Sequence, residues 1–157
     1  MAISLFNMAD LRDGLGPGER LLGLDLGSRT IGIALSDVGL RLASPFGSIA
    51  RGKLRGIVPA LLRIAHAENV GGLVVGLPLD MDDGYGPAAQ AARDWAHAIS
   101  RETELPTALW DERMTTSETH EVLIERMDMT RARRAAVIDR MAAAAILQSA
   151  LDATAPP

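Results

Sequence analysis

Short apolar runs alternate along this chain with longer segments whose apolar residues recur at helical spacing. Leu21 to Leu26 (LLGLDL) is apolar apart from Asp25 and predicts a buried strand. Gly27-Ser28-Arg29-Thr30 reads as a turn, and Ile31 to Ser36 (IGIALS) predicts a second strand. The short connection makes the two an antiparallel hairpin. Residues 41–50 (RLASPFGSIA) predict a third strand. Pro45 suits an edge there, because proline cannot donate to a central ladder.

Leu54, Ile57, Leu61, Ile64 and Ala65 predict a helix over 54–68. Pro59 is expected near its first turn, where a missing N–H costs little. Val70 to Val75 predicts a strand ending in Gly76-Leu77-Pro78-Leu79, followed by a polar loop over 80–86. A helix over 87–103 opens at Pro87, and Thr107 to Trp110 predicts the next strand. Thr115 and Glu118 have the spacing of a capping box, which predicts a helix from about Thr116 to Met127. Thr130 can cap a last helix running to about Leu151. The order β-β-β-α-β-α-β-α-α implies an α/β fold with a mixed five-stranded sheet. Three antiparallel strands come first, two parallel ones follow, and helices cover both faces. The first strand is then central.

Residues 1–19 can form an amphipathic turn or two through Leu5, Met8, Ala9 and Leu11, before Gly14, Gly16, Pro17 and Gly18 interrupt it. They are expected to be a mobile or loosely docked N-terminal extension. Residues 20–152 would form the domain and 153–157 a flexible tail. A chain of 157 residues suits one domain. Only 3% of residues are aromatic, so Leu, Ile, Val, Ala and Met must build the core. The absence of cysteine excludes disulfides, thiolate nucleophiles and thiolate zinc sites. A net charge of −4 argues against a general nucleic-acid coat, so any phosphate binding must use local basic patches. No apolar run has the length of a membrane span, the N-terminus lacks a secretory pattern, and the default location is cytoplasmic.

Asp25 interrupts an apolar strand, where a carboxylate suffers desolvation unless something compensates. Its side chain either alternates to a solvated face, or bonds backbone amides, or binds a metal. Glu112 follows the last predicted strand, and strand ends in open α/β sheets commonly face the active crevice. A solvated loop with an Asp–Arg or Glu–Arg pair is the plainer reading. Asp139 sits early in the last helix between Ile138 and Met141. It shares a face with Ala142 and Ala143, small enough for close packing on a sheet, or it reaches water or pairs with Arg140. On a mixed sheet of this order the three acids can converge. Oxygen ligands without His or Cys favour Mg2+ or Mn2+ over zinc, and such ions promote phosphodiester cleavage. His66, His97 and His120 fall on separate predicted helices and read as surface residues.

The runs LLGLDLGSRTIGIALSD, VVGLPLDMDDG, LWDERMTT and IDRMAAAAIL stand here in the order and spacing of the YqgF (RuvX) family. Members of that family are described as Holliday-junction resolvases and as pre-16S ribosomal RNA nucleases. The chain resembles it over roughly residues 20–151. The resemblance implies an RNase H-like fold and a metal-dependent endonuclease acting in 5′-end maturation of pre-16S ribosomal RNA. Branched DNA is the alternative substrate, and precursor ribosomal particles are an implied partner. The first motif carries over Asp25 and Gly27. The third carries over Asp111, Glu112, Arg113 and Thr116, and the fourth Asp139. Asp25, Glu112 and Asp139 are thus the expected catalytic metal ligands, with Asp111 a further candidate. Asp80 stands where the family often has Asn, and the loop at Asp82-Asp83-Gly84 is one residue longer than usual. Thr30 stands where many relatives have a second basic residue after the one matched by Arg29.

Basic residues are unevenly placed. Arg126, Arg131, Arg133, Arg134 and Arg140 crowd the approach to Asp139, and Arg51, Lys53 and Arg55 form a smaller group. Arg29, Arg113, Thr116, Arg131, Arg133 and Arg134 are the expected nucleic-acid contacts; a solvated helix face is the plainer reading. Trp95 and Trp110 read as core or boundary residues, so backbone and shape recognition is favoured over base stacking. Gly27 and Gly32 are expected to serve the tight hairpin, and Gly76 and Pro78 to shape the loop after the fourth strand. The hairpin also resembles the phosphate-binding hairpin of actin-like sugar kinases, which need a second domain to close over nucleotide. A non-catalytic RNase H-like module gripping nucleic acid or protein is the remaining alternative.

Overall fold

A computed structural model describes residues 5–78, 86–112 and 130–157 of the protein. The elements are α1 (Met8–Asp13), β1 (Arg20–Leu26), β2 (Thr30–Ser36), β3 (Ala43–Ala50), α2 (Leu54–Glu68), β4 (Val70–Leu77), α3 (Pro87–Thr103), β5 (Thr107–Asp111) and α4 (Arg131–Ala153). The five strands form one sheet in the order β3-β2-β1-β4-β5. β1 runs antiparallel to β2 and parallel to β4. β2 and β3 are antiparallel, and β4 and β5 parallel. The predicted architecture is therefore observed, with β1 central and Pro45 on the edge strand. The helix expected over 116–127 lies outside the described residues. Among those described, no helix is long and apolar enough to cross a membrane.

The period-2 alternation of the strands separates two cores. Leu22, Leu24, Ile31, Ile33, Leu73 and Val75 pack on one face with Ile57 and Leu61 of α2 and Ile99 of α3. Leu21, Ala34, Val74 and Ala108 pack on the other with Ala143, Ile146, Leu147 and Leu151 of α4. On β1, Leu21 and Gly23 face α4, so Asp25 points to that face as well.

α4 lies unusually close to the sheet, and glycine makes the space. A Cβ on Gly23 would stand 2.8 Å from Leu147 Cβ, and one on Gly32 2.0 Å from the Asp139 carbonyl oxygen. Gly32 lies inside β2, so its main service is clearance for α4 rather than the hairpin turn expected of it. Gly27 does serve the turn, its N–H donating to the Thr30 carbonyl at 2.9 Å.

Two further expectations need correction. Residues 5–19 are docked rather than loose. The Phe6 N–H donates to the Thr107 carbonyl at 2.8 Å beside β5, and Met8 and Leu11 are buried in the α4-side core. Arg12 adds donations to the Leu151 and Leu40 carbonyls at 3.0 and 3.1 Å. The glycines at 14, 16 and 18 mask from sequence that the preceding turn buries its apolar side. Pro59 falls in the second turn of α2 rather than the first, because the helix starts at Leu54. It leaves the Arg55 carbonyl without its usual i+4 donor.

Gly32→Ala is expected to destabilise the protein by at least about 3 kcal/mol, because neither the β2 backbone nor the Asp139 carbonyl can yield cheaply. Gly47→Ala on β3, where a Cβ meets nothing within 4 Å, should change stability by no more than about 0.5 kcal/mol. Urea unfolding midpoints of the two variants check the difference.

Candidate active site

Three elements deliver acidic side chains to the α4 face at the C-terminal end of the parallel strands. Asp25 is the penultimate residue of β1 and pairs in register with Gly32. Glu112 follows β5 directly. Asp139 sits on the third turn of α4, over the β1–β2 hairpin. A Cβ on Gly27 would meet the Asp139 carboxylate at 2.3 Å, and one on Gly76 would meet Glu112 Oε1 at 2.6 Å. Two carboxylates thus occupy space that glycine alone leaves open. Gly76 lies within β4 and serves Glu112, beyond the loop-shaping expected of it.

The electrostatics show how tightly the acids are gathered. Asp25 and Glu112 are hydrogen-bonded side chain to side chain. Burial first, then the charge and hydrogen bond of Glu112 and the charge of Asp139, push the Asp25 carboxyl from 3.8 up to about 8. Burial also raises Glu112, helped by the charge of Asp111, while the hydrogen bond from Asp25 lowers it. The pair shares a proton near neutrality. Asp139 accepts the Thr30 hydroxyl through Oδ2, a contact in place of the Arg140 pairing or water that sequence left open. Among the described residues, no three His, Cys, Asp or Glu side chains form a ready-made ion site. The proton-sharing pair with a third carboxylate in electrostatic reach is nonetheless a hard-oxygen donor set, which suits a divalent cation better than a proton.

A cleft of about 160 Å3 opens beside the pair, lined by Asp25, Glu112, Leu26, Gly76, Pro78, Ala88, Ala91, Ala92 and Arg51. Of the expected nucleic-acid contacts, Arg29 is exposed on the hairpin turn, and Arg131, Arg133 and Arg134 are exposed at the start of α4. Thr130 caps that helix by accepting the Arg133 N–H at 3.3 Å, as its position predicts. Arg113, Thr116 and Arg126 lie outside the described residues, as do Asp80, Asp82, Asp83 and His120. Trp110 is half-buried and donates from Nε1 to Ser149 at 3.1 Å, and Trp95 packs against the α2-side core. Neither stands as a stacking platform. Thr30 was not among the expected acid-site residues; only the pairing of the hairpin with α4 identifies it as the Asp139 partner.

This is an RNase H-like α/β domain with an acidic centre at the carboxyl end of its sheet. T. thermophilus RuvC, solved in complex with a Holliday junction substrate, shares the fold with a TM-score of 0.51 at 13% identity, over 86% of this chain and 94% of that one. Residues 19–153 match the family described as RuvX, Holliday junction resolvase, and the chain belongs to that family. A Gluconacetobacter diazotrophicus protein is 57% identical over 96% of this chain and 98% of its own length, and an Acidiphilium cryptum protein is 55% identical over 96% and 94%. A Rhodospirillum rubrum relative is 51% identical over 90% and 88%. All three are named "Putative pre-16S rRNA nuclease".

Asp25→Asn is expected to stabilise the metal-free protein increasingly as pH rises. A folded pKa above the unfolded value favours folding fully below about 3.8, and that contribution is lost as pH climbs through about 8. The wild-type melting temperature should therefore fall between about pH 5 and about pH 8, and the decline should flatten in the variant. Mn2+ should raise the wild-type melting temperature at the upper pH and leave the variant's almost unmoved. Equal pH slopes for the two proteins would rule out the proton-sharing pair.

Proposed function

We propose that this protein is a metal-dependent endonuclease that hydrolyses phosphodiester bonds in ribosomal RNA precursors, trimming the 5′ end of pre-16S RNA. The observation that carries the reading is the Asp25–Glu112 proton-sharing pair beneath Asp139. Burial disfavours the ionisation of both acids, and Glu112 and Asp139 add to this at Asp25, so the fold retains a costly arrangement that a cation would relieve. Asp25, Glu112 and Asp139 would hold Mg2+ or Mn2+, with Asp111 adding negative charge beside Glu112. A bound divalent ion supplies Lewis-acid stabilisation of phosphate charge at this centre. Asp25 and Glu112 would give up their shared proton to hold such an ion, and Thr30 orients the Asp139 carboxylate.

The start of α4 supports a nucleic-acid substrate. Its first turn has no acidic residue and carries Arg131, Arg133 and Arg134, all exposed. Cations at a helix N-terminus oppose the macrodipole and cost the helix stability. A phosphate backbone laid across that end offsets the cost, and Arg29 on the neighbouring hairpin extends the same surface. The relatives' names favour RNA precursors first, and the family description keeps branched DNA as the second substrate. The reading places the protein in the cytoplasm, with precursor ribosomal particles as its partner.

Purified protein with Mg2+ or Mn2+ should cleave a structured RNA spanning the 5′ precursor end of 16S RNA faster than a four-way DNA junction. Losing an outer partner of a metal ligand costs about 10- to 100-fold, so Asp25→Asn, Glu112→Gln and Asp139→Asn should each cost more than about 100-fold. In cells depleted of the protein, 5′-extended 16S precursor should accumulate, and an Asp139→Asn copy should not restore mature ends. Normal ends after depletion, together with junction cleavage in vitro, would shift the assignment to DNA.

A further inference from the structure

Among the described residues, Arg51 is the one cation in the lining of the cleft that also holds Asp25 and Glu112. It follows the end of β3, where Ala50 pairs in register with Thr30. The Arg51 backbone N–H donates to the Arg29 carbonyl at 2.9 Å, and its Nη1 donates to the Gly27 carbonyl at 2.7 Å. Main chain and head group are thus both tied to the β1–β2 turn. A guanidinium has five N–H donors, and the Gly27 contact uses one nitrogen. The residue is exposed, and among the described residues it makes no ion pair. An exposed arginine normally loses side-chain entropy when it is fixed, so this pinning has an effect beyond solvation. It holds a fork of donors in the lining of an acidic cleft. Pro78 and Ala88, Ala91 and Ala92 of α3 line the same cleft with short side chains.

We propose that Arg51 grips the backbone phosphate of the strand entering the cleft, and so sets the bond to be cut against Asp25 and Glu112. The inference rests on the nuclease reading above and names a substrate contact within it. Physical need and geometry agree here. Two carboxylates repel an approaching phosphate, and a fixed guanidinium within the same cleft counters that repulsion where it is strongest. Among the described residues no aromatic side chain lines the cleft, which fits a contact to the sugar–phosphate backbone. Arg51 is a binding residue in this scheme: it touches the phosphate backbone and takes no proton.

The test measures binding and turnover of a 5′ precursor RNA by the full chain carrying Arg51→Ala, Arg51→Lys or, on the outer side of α2, Arg63→Ala. Arg51→Ala should raise KM about tenfold and change kcat much less, consistent with loss of a contact made before the chemical step. Its log–log dependence of RNA affinity on salt should lose about 0.7 to 0.9 of slope, one phosphate contact. Arg51→Lys should keep most of that slope and recover part of the affinity, because the charge stays and the fork is lost. Arg63→Ala should match wild type. Mn2+ affinity by calorimetry should be unchanged in Arg51→Ala. A drop in Mn2+ affinity or melting temperature with the salt slope intact would reduce Arg51 to a brace for the hairpin turn and overturn the proposal. Wild-type protein that cleaves the RNA while Arg51→Ala matches it in KM and slope would overturn the proposal alone. Wild-type protein that neither binds nor cleaves RNA or junction DNA would overturn the nuclease reading with it.

Discussion

The site depends on how closely α4 sits on the sheet. A helix normally keeps its distance because side chains on both surfaces intervene. Here the β1 and β2 positions under α4 are Gly23 and Gly32, and helix backbone comes within van der Waals reach of strand backbone. The Asp139 carboxylate fills the space that a side chain at Gly27 would take. Asp139 can then lie over the end of β1 instead of over its flank. Ala143 and Leu147 continue the same contact toward the interior, so burial of an apolar face holds the acid in place. Packing energy gathered along α4 is what keeps a carboxylate near two others.

That proximity sets the electrostatics. Asp25 stands on the central strand, with β2 on one side and β4 on the other, so bulk water cannot solvate it freely. Glu112 comes from β5 across β4, and Gly76 on β4 gives it passage. Burial raises both carboxyls, and the hydrogen bond between them holds a proton where two full charges would otherwise stand side by side. Thr30 gives the third acid a hydroxyl partner. A divalent cation held here, as proposed, would compete with that proton.

Much of this was legible in sequence because periodicity and chemistry coincide. The helices at 54–68 and 87–103 fall where apolar spacing put them. Pro45 marked the edge strand correctly because a missing donor has one consequence wherever the strand lies. Asp25, Glu112 and Asp139 stood out as acids in apolar or strand-end contexts, and the fold brings them to one end of the sheet. What stayed hidden depends on contacts between segments distant in the chain. Gly32 looked like a turn residue, yet its role is set by a helix more than a hundred positions later. Thr30 looked only like a departure from a position that is often basic in relatives, and its hydroxyl meets Asp139. α1 was legible as a short amphipathic turn, but its docking was not, because two buried residues, Met8 and Leu11, do not say what they pack against. Arg51 was visible only as one of three basic residues; the β2–β3 register is what brings it to the turn.

A net-negative protein that handles a polyanion must confine attraction to the path of the substrate. In the proposed reading five described arginines would do this from different elements: Arg29 on the hairpin turn, Arg51 after β3, and Arg131, Arg133 and Arg134 at the head of α4. The hairpin turn is the point where these meet the acids, since it contacts Asp139 through Thr30 and Arg51 through Gly27. In the same reading, a backbone following these arginines would pass the carboxylates. Overall charge opposes nonspecific adhesion and local charge selects the groove, so the acidic pI is compatible with a nuclease and narrows where nucleic acid can lie. The same division gives a reason for the bond from Arg51 to the Gly27 carbonyl: it ties the proposed phosphate contact to the hairpin turn that also meets Asp139.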